Sequence, residues 1–163
     1  MGAKSEALAR QFETTAQDAV ALLGTLSDED WKRVTEGETW TVGVTAHHAA
    51  TALEPITGMV TAIVSGQAQG GLTMRGIDEM NALHAKEHAH CTRAGTVALL
   101  EKGIPAALAA VRGLSDEQLS RSGSVLADAP PMTAEQIITM GLIGHFDSHF
   151  GSIRQTVAAR RSP

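Results

Sequence analysis

His145 and His149 stand four residues apart, a spacing that on an α-helix projects both imidazoles from one face, one turn above the other. Two rings so placed suit one metal ion, and a helical bundle that holds an ion draws its further ligands from facing helices. The adjacent pair His47 and His48 offers a third imidazole. On a helix His48 shares a stripe with Thr41, Val44, Ala52 and Pro55, whereas His47 points roughly 100° away. Periodicity therefore leans towards His48 without deciding between the two. Three imidazoles leave positions for water or substrate, the open arrangement of a catalytic rather than a structural zinc site. Zinc is the first choice of divalent ion, while copper or nickel suits the same nitrogen ligands. The competing reading is a histidine pair that only decorates a surface or a core. Buried imidazoles without metal would then need hydrogen-bond partners or would cost stability.

Other reactive side chains are less directive. His84 and His88 repeat the four-residue spacing, and Asn81 lies on their stripe. From there Asn81 and His88 could face the metal pocket, touching substrate or supporting the ligands; alternatively the group, with His90, is partly solvated near a polar helix start. The pattern does not call for a second metal ion. Cys91 has no CxxC partner and reads as a buried structural thiol. Asp147 falls on the far side of the helix from its flanking histidines, and Glu54, about 120° from His48, is a better but still poor acid for the site. No general base is assigned. The methionines, Met59, Met74, Met80, Met132 and Met140 among them, read as core and pocket-lining filler.

The elements that must position these groups follow from periodicity and caps. Leu8, Phe12, Ala16, Ala19 and Leu23 predict a first helix over about 5–23, ended by Gly24. Ser27 caps a short turn with acids in its first residues, and a loop through Glu36-Gly37-Glu38 follows. Thr41 is the N-cap of a second helix from Val42 to about residue 65, kinked at Pro55. After a glycine-rich loop over 66–71, a continuous third helix is expected from about 78 to 112, bent around Gly103-Ile104-Pro105. Residues 114–119 echo the turn at 26–31, and 120–132 read as a loop. Thr133 and Gln136 form a capping box for a fourth helix reaching about 159, with a frayed tail at 160–163.

Composition agrees with this plan. A chain of 163 residues with 43% hydrophobic side chains can build one sizeable core, so a single domain over 1–163 is expected. Aromatic residues are only 3% and tyrosine is absent, which argues against a β-sandwich and for an all-α bundle. The net charge of -5, from 18 acidic and 13 basic side chains in short mixed groups, disfavours nucleic acid as a partner. The start lacks a charged region followed by an apolar run, and no stretch approaches the roughly 18 apolar residues of a membrane helix. With one cysteine and no possible intrachain disulfide, a soluble cytoplasmic protein with no membrane partner is the expectation. Glu-x-x-His pairs are missing from the helical faces considered, which disfavours a di-iron bundle.

Trp40-Thr41-Val42 with His48 eight residues after the tryptophan, Ile77-Asp78-x-x-Asn81 opening a helix, and His145-x-x-x-His149-x-Gly151-x-Ile153 occur in an order that resembles the DinB/YfiT superfamily. The resemblance extends over most of the chain. It implies an up-down-down-up four-helix bundle, frequently homodimeric, that binds a divalent metal through three histidines at one end. Carried over, His48 takes the ligand position of the second helix, and His145 and His149 take the pair of the fourth. The family commonly has glutamine three residues after the last histidine; Ser152 stands there instead, which puts any role of that amide in doubt. Relatives include mycothiol-dependent maleylpyruvate isomerase and bacillithiol transferase, so the resemblance implies a metal-dependent hydrolase or a transferase using a low-molecular-weight thiol on a small-molecule substrate. A non-catalytic metal-binding stress protein is the alternative, because fold transfers a metal site better than it transfers a reaction.

Overall fold

In the computed structural model, which describes residues 2–159, the chain runs α1 (Ala3–Thr25), α2 (Asp28–Lys32), α3 (Val42–Val64), α4 (Met74–Glu87), α5 (Arg93–Arg112) and α6 (Asp116–Ser120). Two short strands, β1 (Ser122–Gly123) and β2 (Met132–Thr133), then precede α7 (Ala134–Gln136), a π-helical segment (Ile137–Gly144) and α8 (His145–Ala158). The last three are continuous and act as one long helix. The expected frayed tail at 160–163 lies outside the described residues.

The helices begin where the caps require. Thr41 Oγ1 accepts from the Val44 N–H at 3.2 Å, opening α3, and Thr133 with Gln136 closes a reciprocal capping box on α7. The echo between 26–31 and 114–119 is structural: α2 and α6 are each five residues long, capped by Ser27 and Ser115 with capping boxes to Asp30 and Gln118.

The expected third helix is instead two. His88 ends α4, with φ -105° and ψ 20°, and Thr92 caps α5 by accepting from the Gly95 N–H. Nothing in the apolar periodicity announces this break; the local competition of Thr92's hydroxyl for a backbone N–H produces it. Pro105 lies inside α5 and Pro55 inside α3. Within the presumed loop 120–132, β1 and β2 pair antiparallel, Ser122 opposite Thr133 and Gly123 opposite Met132.

Four long units form the bundle: α1, α3, α5 and the composite final helix. Contacts join α5 to both α1 and α3, and the final helix likewise to both, so α1 and α3 sit diagonally. Ion pairs from Arg112 to Glu6 and Glu13 set α1 antiparallel to α5. Gly141 against Ile56 and His145 against His48 set the final helix antiparallel to α3. Lys4 beside Glu135 and Phe12 against Phe146 set α1 parallel to the final helix, and the topology is therefore up-down-down-up. Because α3 and α5 run in the same direction, the chain must travel back along the bundle between them, and α4 makes that return.

The core is aliphatic with a small aromatic centre. Phe12 and Phe146 meet edge to face at 5.5 Å, Phe150 stacks on Phe146, and Leu23, Leu53, Ile63, Leu100, Leu119, Ile138 and Ile153 are fully buried around them. Each such side chain contributes about 1.5–3 kcal/mol by leaving water.

The expectation that no segment reaches membrane-spanning apolarity is corrected by α5: it is 20 residues long and an 18-residue stretch of it has mean hydropathy 1.4, enough by length and composition to cross a membrane. Here α5 is a wall of the bundle, burying Leu100, Ala107, Leu108 and Val111.

Candidate metal centre

The His48, His145 and His149 rings converge at one end of the bundle. The Nε2 atoms of His48 and His145 are 3.2 Å apart, and those of His145 and His149 are 3.1 Å apart. In a tetrahedral zinc site with Zn–N of about 2.0–2.1 Å, neighbouring nitrogens are separated by roughly 3.4 Å. The observed spacing is thus close to the edge of a coordination polyhedron.

Proton bookkeeping points the same way. The Nδ1 of His149 lies 2.8 Å from Glu38 Oε1, so Nδ1 carries the proton that the carboxylate accepts, and Nε2 presents a lone pair inward. His145 Nε2 faces this lone pair and also His48 Nε2. If it donates to His149 it has nothing left for His48; if it accepts from His48 it meets His149 lone pair to lone pair. Three neutral rings cannot satisfy both contacts, whereas one cation at the convergence satisfies all three nitrogens. His145 Nδ1 is buried without a hydrogen-bond partner among the described residues. The donor set fits a divalent metal ion.

Electrostatics keep the rings ready as ligands. Burial, reinforced by neighbouring imidazoles, pushes His48 down to about 4 and His145 down to about 3 from an ordinary 6.5. Both are neutral at pH 7. For Glu38, burial raises the carboxyl pKa, but hydrogen bonds from Ser152, His149 and Thr35 outweigh it and leave the group below its ordinary 4.5. The neutral rings of His48 and His145, with His149 between them and Glu38, are therefore backed by one carboxylate. Its side chain is 12% exposed and that of His149 14%, so water screens this pair little.

Each element contributes for a local reason. His145 and His149 lie in the first turns of α8, directly after the π-helical segment, a wide-turn geometry frequent at functional sites. Gly141 lets that segment approach α3: a Cβ there would lie 3.0 Å from Ile56. Trp40 packs edge-on against His48, ring centroids 5.3 Å apart, which gives the tryptophan–histidine spacing its meaning. Between Trp40 and Glu38 stands Thr39 with φ 61°, a left-handed conformation that a β-branched residue adopts only under constraint. The constraint is visible: Thr39 N donates to Thr35 O, and Thr35 N donates to Trp40 O. This tight loop sends Glu38 and Trp40 to the same metal centre. At Gly37 a Cβ would sit 3.1 Å from Ser152 Oγ, so the missing side chain lets the loop lie on α8.

Sequence reasoning missed Glu38, placing it in a featureless loop, and its nearness to Trp40 was the available clue. Glu54 is exposed and faces the groove between α3 and α5, far from the role considered for it. Ser152 fills the position where glutamine is usual, and its hydroxyl donates to Glu38 Oε2 at 2.7 Å. Asp147 is exposed, as expected. Burial raises the Cys91 thiol above its ordinary 9.0, so it stays protonated. His88 and half-buried Asn81 share a face of α4. His88, however, groups with His84 and His47 and not with the three converging rings above.

Comparison with known proteins places this architecture. The chain is similar to YfiT from Bacillus subtilis, described as a probable metal-dependent hydrolase with an unusual four-helix bundle topology: TM-score 0.78, 17% identity, covering 100% of this chain and 91% of that one. It is also similar to a sibling lethal factor precursor, DfsB, with TM-score 0.73, 15% identity and 98% of each chain covered. At these identities the likeness concerns the fold. No sequence among curated proteins is similar enough to count as a relative. The profile of the mycothiol maleylpyruvate isomerase N-terminal domain matches residues 12–142. That span holds Glu38, His48 and the bundle as far as the π-helical segment, and it ends before His145. The profile, which spans most of the chain, together with the bundle fold, makes the chain a member of the mycothiol maleylpyruvate isomerase N-terminal domain family, within the DinB/YfiT-like superfamily.

Proposed function

We propose that His48, His145 and His149 hold one divalent metal ion, zinc first and nickel next, and that the protein uses it to activate a water or a low-molecular-weight thiol against a small electrophile. The observation that carries this reading is the convergence of three Nε2 atoms at 3.1 and 3.2 Å. Bound there, the ion would supply Lewis acidity, lowering the pKa of a water or thiol into the neutral range.

The chain's own groups define the rest. Three neutral imidazoles leave the ion's charge uncompensated within its ligand set, which favours an anionic nucleophile. Glu38 fixes the His149 tautomer by accepting from Nδ1 and supplies one negative charge at a distance from the reacting centre. Ser152 occupies the other carboxylate oxygen and so keeps Glu38 oriented. With both oxygens engaged, Glu38 is a positioning residue and not a general base.

Two lines support the choice of reaction class: the family profile carries a mycothiol-dependent name, and YfiT is described as a probable metal-dependent hydrolase. The thiol reading is tested with metal-loaded protein, mycothiol or bacillithiol, and a small electrophilic acceptor. Saturable conjugation that is lost on chelation and in His149→Ala is expected. Conjugation that survives both removes the reading. Stoichiometric metal with neither conjugation nor hydrolysis of activated esters or amides would favour a binding protein without turnover.

A further inference from the structure

α4 is the least anchored helix of the fold by apolar packing. None of its residues is buried, and Met74, Met80 and Leu83 are exposed on it. What α4 presents to α3 is imidazole. His84 Nε2 lies 3.2 Å from His47 Nδ1, His88 stacks on His47 with ring centroids 4.2 Å apart, and His84 and His88 are 4.5 Å apart by the same measure. His47 itself is buried, 8% exposed.

The arrangement duplicates the first triad. One histidine of α3 faces a pair four residues apart on another helix: His48 faces His145 and His149, and its chain neighbour His47 faces His84 and His88. Roughly 100° between successive helical residues directs the two α3 rings to different partners. One ligand nitrogen from each of His47, His84 and His88 lies within 4.8 Å of the other two. The shortest pair already has the roughly 3.4 Å edge of a tetrahedral site, and half-buried His88 can close the longer separations by side-chain rotation.

Packing alone explains this cluster poorly. Neutral imidazoles each bring a donor and an acceptor, and the only hydrogen bond within the trio is that between His47 and His84. The turn that carries His88 is held in place independently, because Trp31 Nε1 donates to Cys91 O at 3.0 Å and Arg93 binds Leu26 O and Asp28.

We propose that His47, His84 and His88 form a second divalent-metal site, next to the first and joined to it through the consecutive residues His47 and His48. The ring centroids of His48 and His84 are 5.3 Å apart, so the sites share a wall and the two cations repel. The first site has Glu38 behind it; the second has at most Glu87 nearby, which acts on His84. The second ion is therefore the weaker, and it ties α4 to α3. This site does not depend on the reading of the first, since it uses none of the same ligands.

The experiment is metal-content analysis and equilibrium titration of metal-free full-length chain with Zn²⁺ and with Co²⁺, the latter followed by its visible absorption. Wild type should bind two ions per chain. His84→Asn/His88→Gln, half-buried on a helix with no buried residues and expected to fold, should bind one, and His145→Ala/His149→Ala should bind one. The four-fold variant should bind none. Circular dichroism confirms that each variant is folded, and an unfolded double variant is replaced by its single His88→Gln counterpart, read by loss of the weaker step. One ion per folded wild-type chain, or two ions that persist in the His84/His88 variant, overturns the proposal. Loss of one ion only in the His145/His149 variant would also overturn it while leaving the first site standing.

Discussion

Beyond the three converging histidines, Glu38 is the residue most directly tied to the proposed metal site. It accepts from His149 Nδ1 and from Ser152 Oγ, so it sets which nitrogen of His149 faces inward. Replacing such a carboxylate usually costs a metal site 10–100-fold in affinity. Glu38→Gln should therefore weaken zinc binding by about that factor while leaving the fold intact, as read by competition with a chromophoric chelator. Unchanged affinity would mean that the His149 tautomer needs no help. Ser152→Ala removes one of two restraints on the same carboxylate and should have a smaller effect in the same direction. Ser152→Gln, which restores the commoner residue, tests whether an amide can do the hydroxyl's work.

At the scale of elements, the α2–α3 corner is built by close approach. A Cβ on Gly43 would lie 2.5 Å from Trp31 Nε1 and 2.6 Å from its Cε2. The indole cannot withdraw freely, because its Nε1 is committed to Cys91 O. Gly43→Ala should cost about 1–3 kcal/mol, the usual penalty of overpacking, measured by denaturant unfolding. Trp31 also links the start of α3 to the turn after α4, so the variant should loosen the His84–His88 region more than α8, as amide exchange would report. Thr41 carries a plain capping role: Thr41→Ala should cost about 1 kcal/mol.

For the whole molecule, the buried imidazoles couple stability to pH and to metal. His47 and His48 are held at about 4 and His145 at about 3, first by burial and then by neighbouring histidines, against 6.5 when ordinary. The folded values are depressed, so below pH 6.5 the unfolded chain binds more protons than the folded one. Stability from these groups is complete above about pH 6.5 and is lost as pH falls towards 4. Thermal melts of chelator-treated protein between pH 7.5 and 4.5 should show a falling Tm; a flat profile would contradict burial of neutral rings. Adding zinc at pH 7.5 should raise Tm, because 100-fold excess over Kd contributes about 2.7 kcal/mol. His149→Ala should reduce that rise.

Whatever depends on neighbours along one helix is encoded locally. Caps at Thr41 and Thr133, the apolar stripes of α1 and α3, and the four-residue spacing that aims His145 and His149 in one direction are local, and they were legible. The bundle was readable because aliphatic periodicity over some twenty residues has few other solutions. The remainder depends on how the helices pack against one another. The π-helical segment ahead of His145 and the strained turn at Thr39 each arise where packing or a hydrogen bond outweighs local propensity, whereas the break before Thr92 is a local cap that apolar periodicity does not show. Glu38 meets His149 across 111 positions, and His47 meets His84 across 37. Such pairings are set by which helices lie side by side, and no spacing along the chain encodes them. The choice of His48 for the converging triad, with His47 turned to α4, became physical only once α4 and α8 stood on either side of α3.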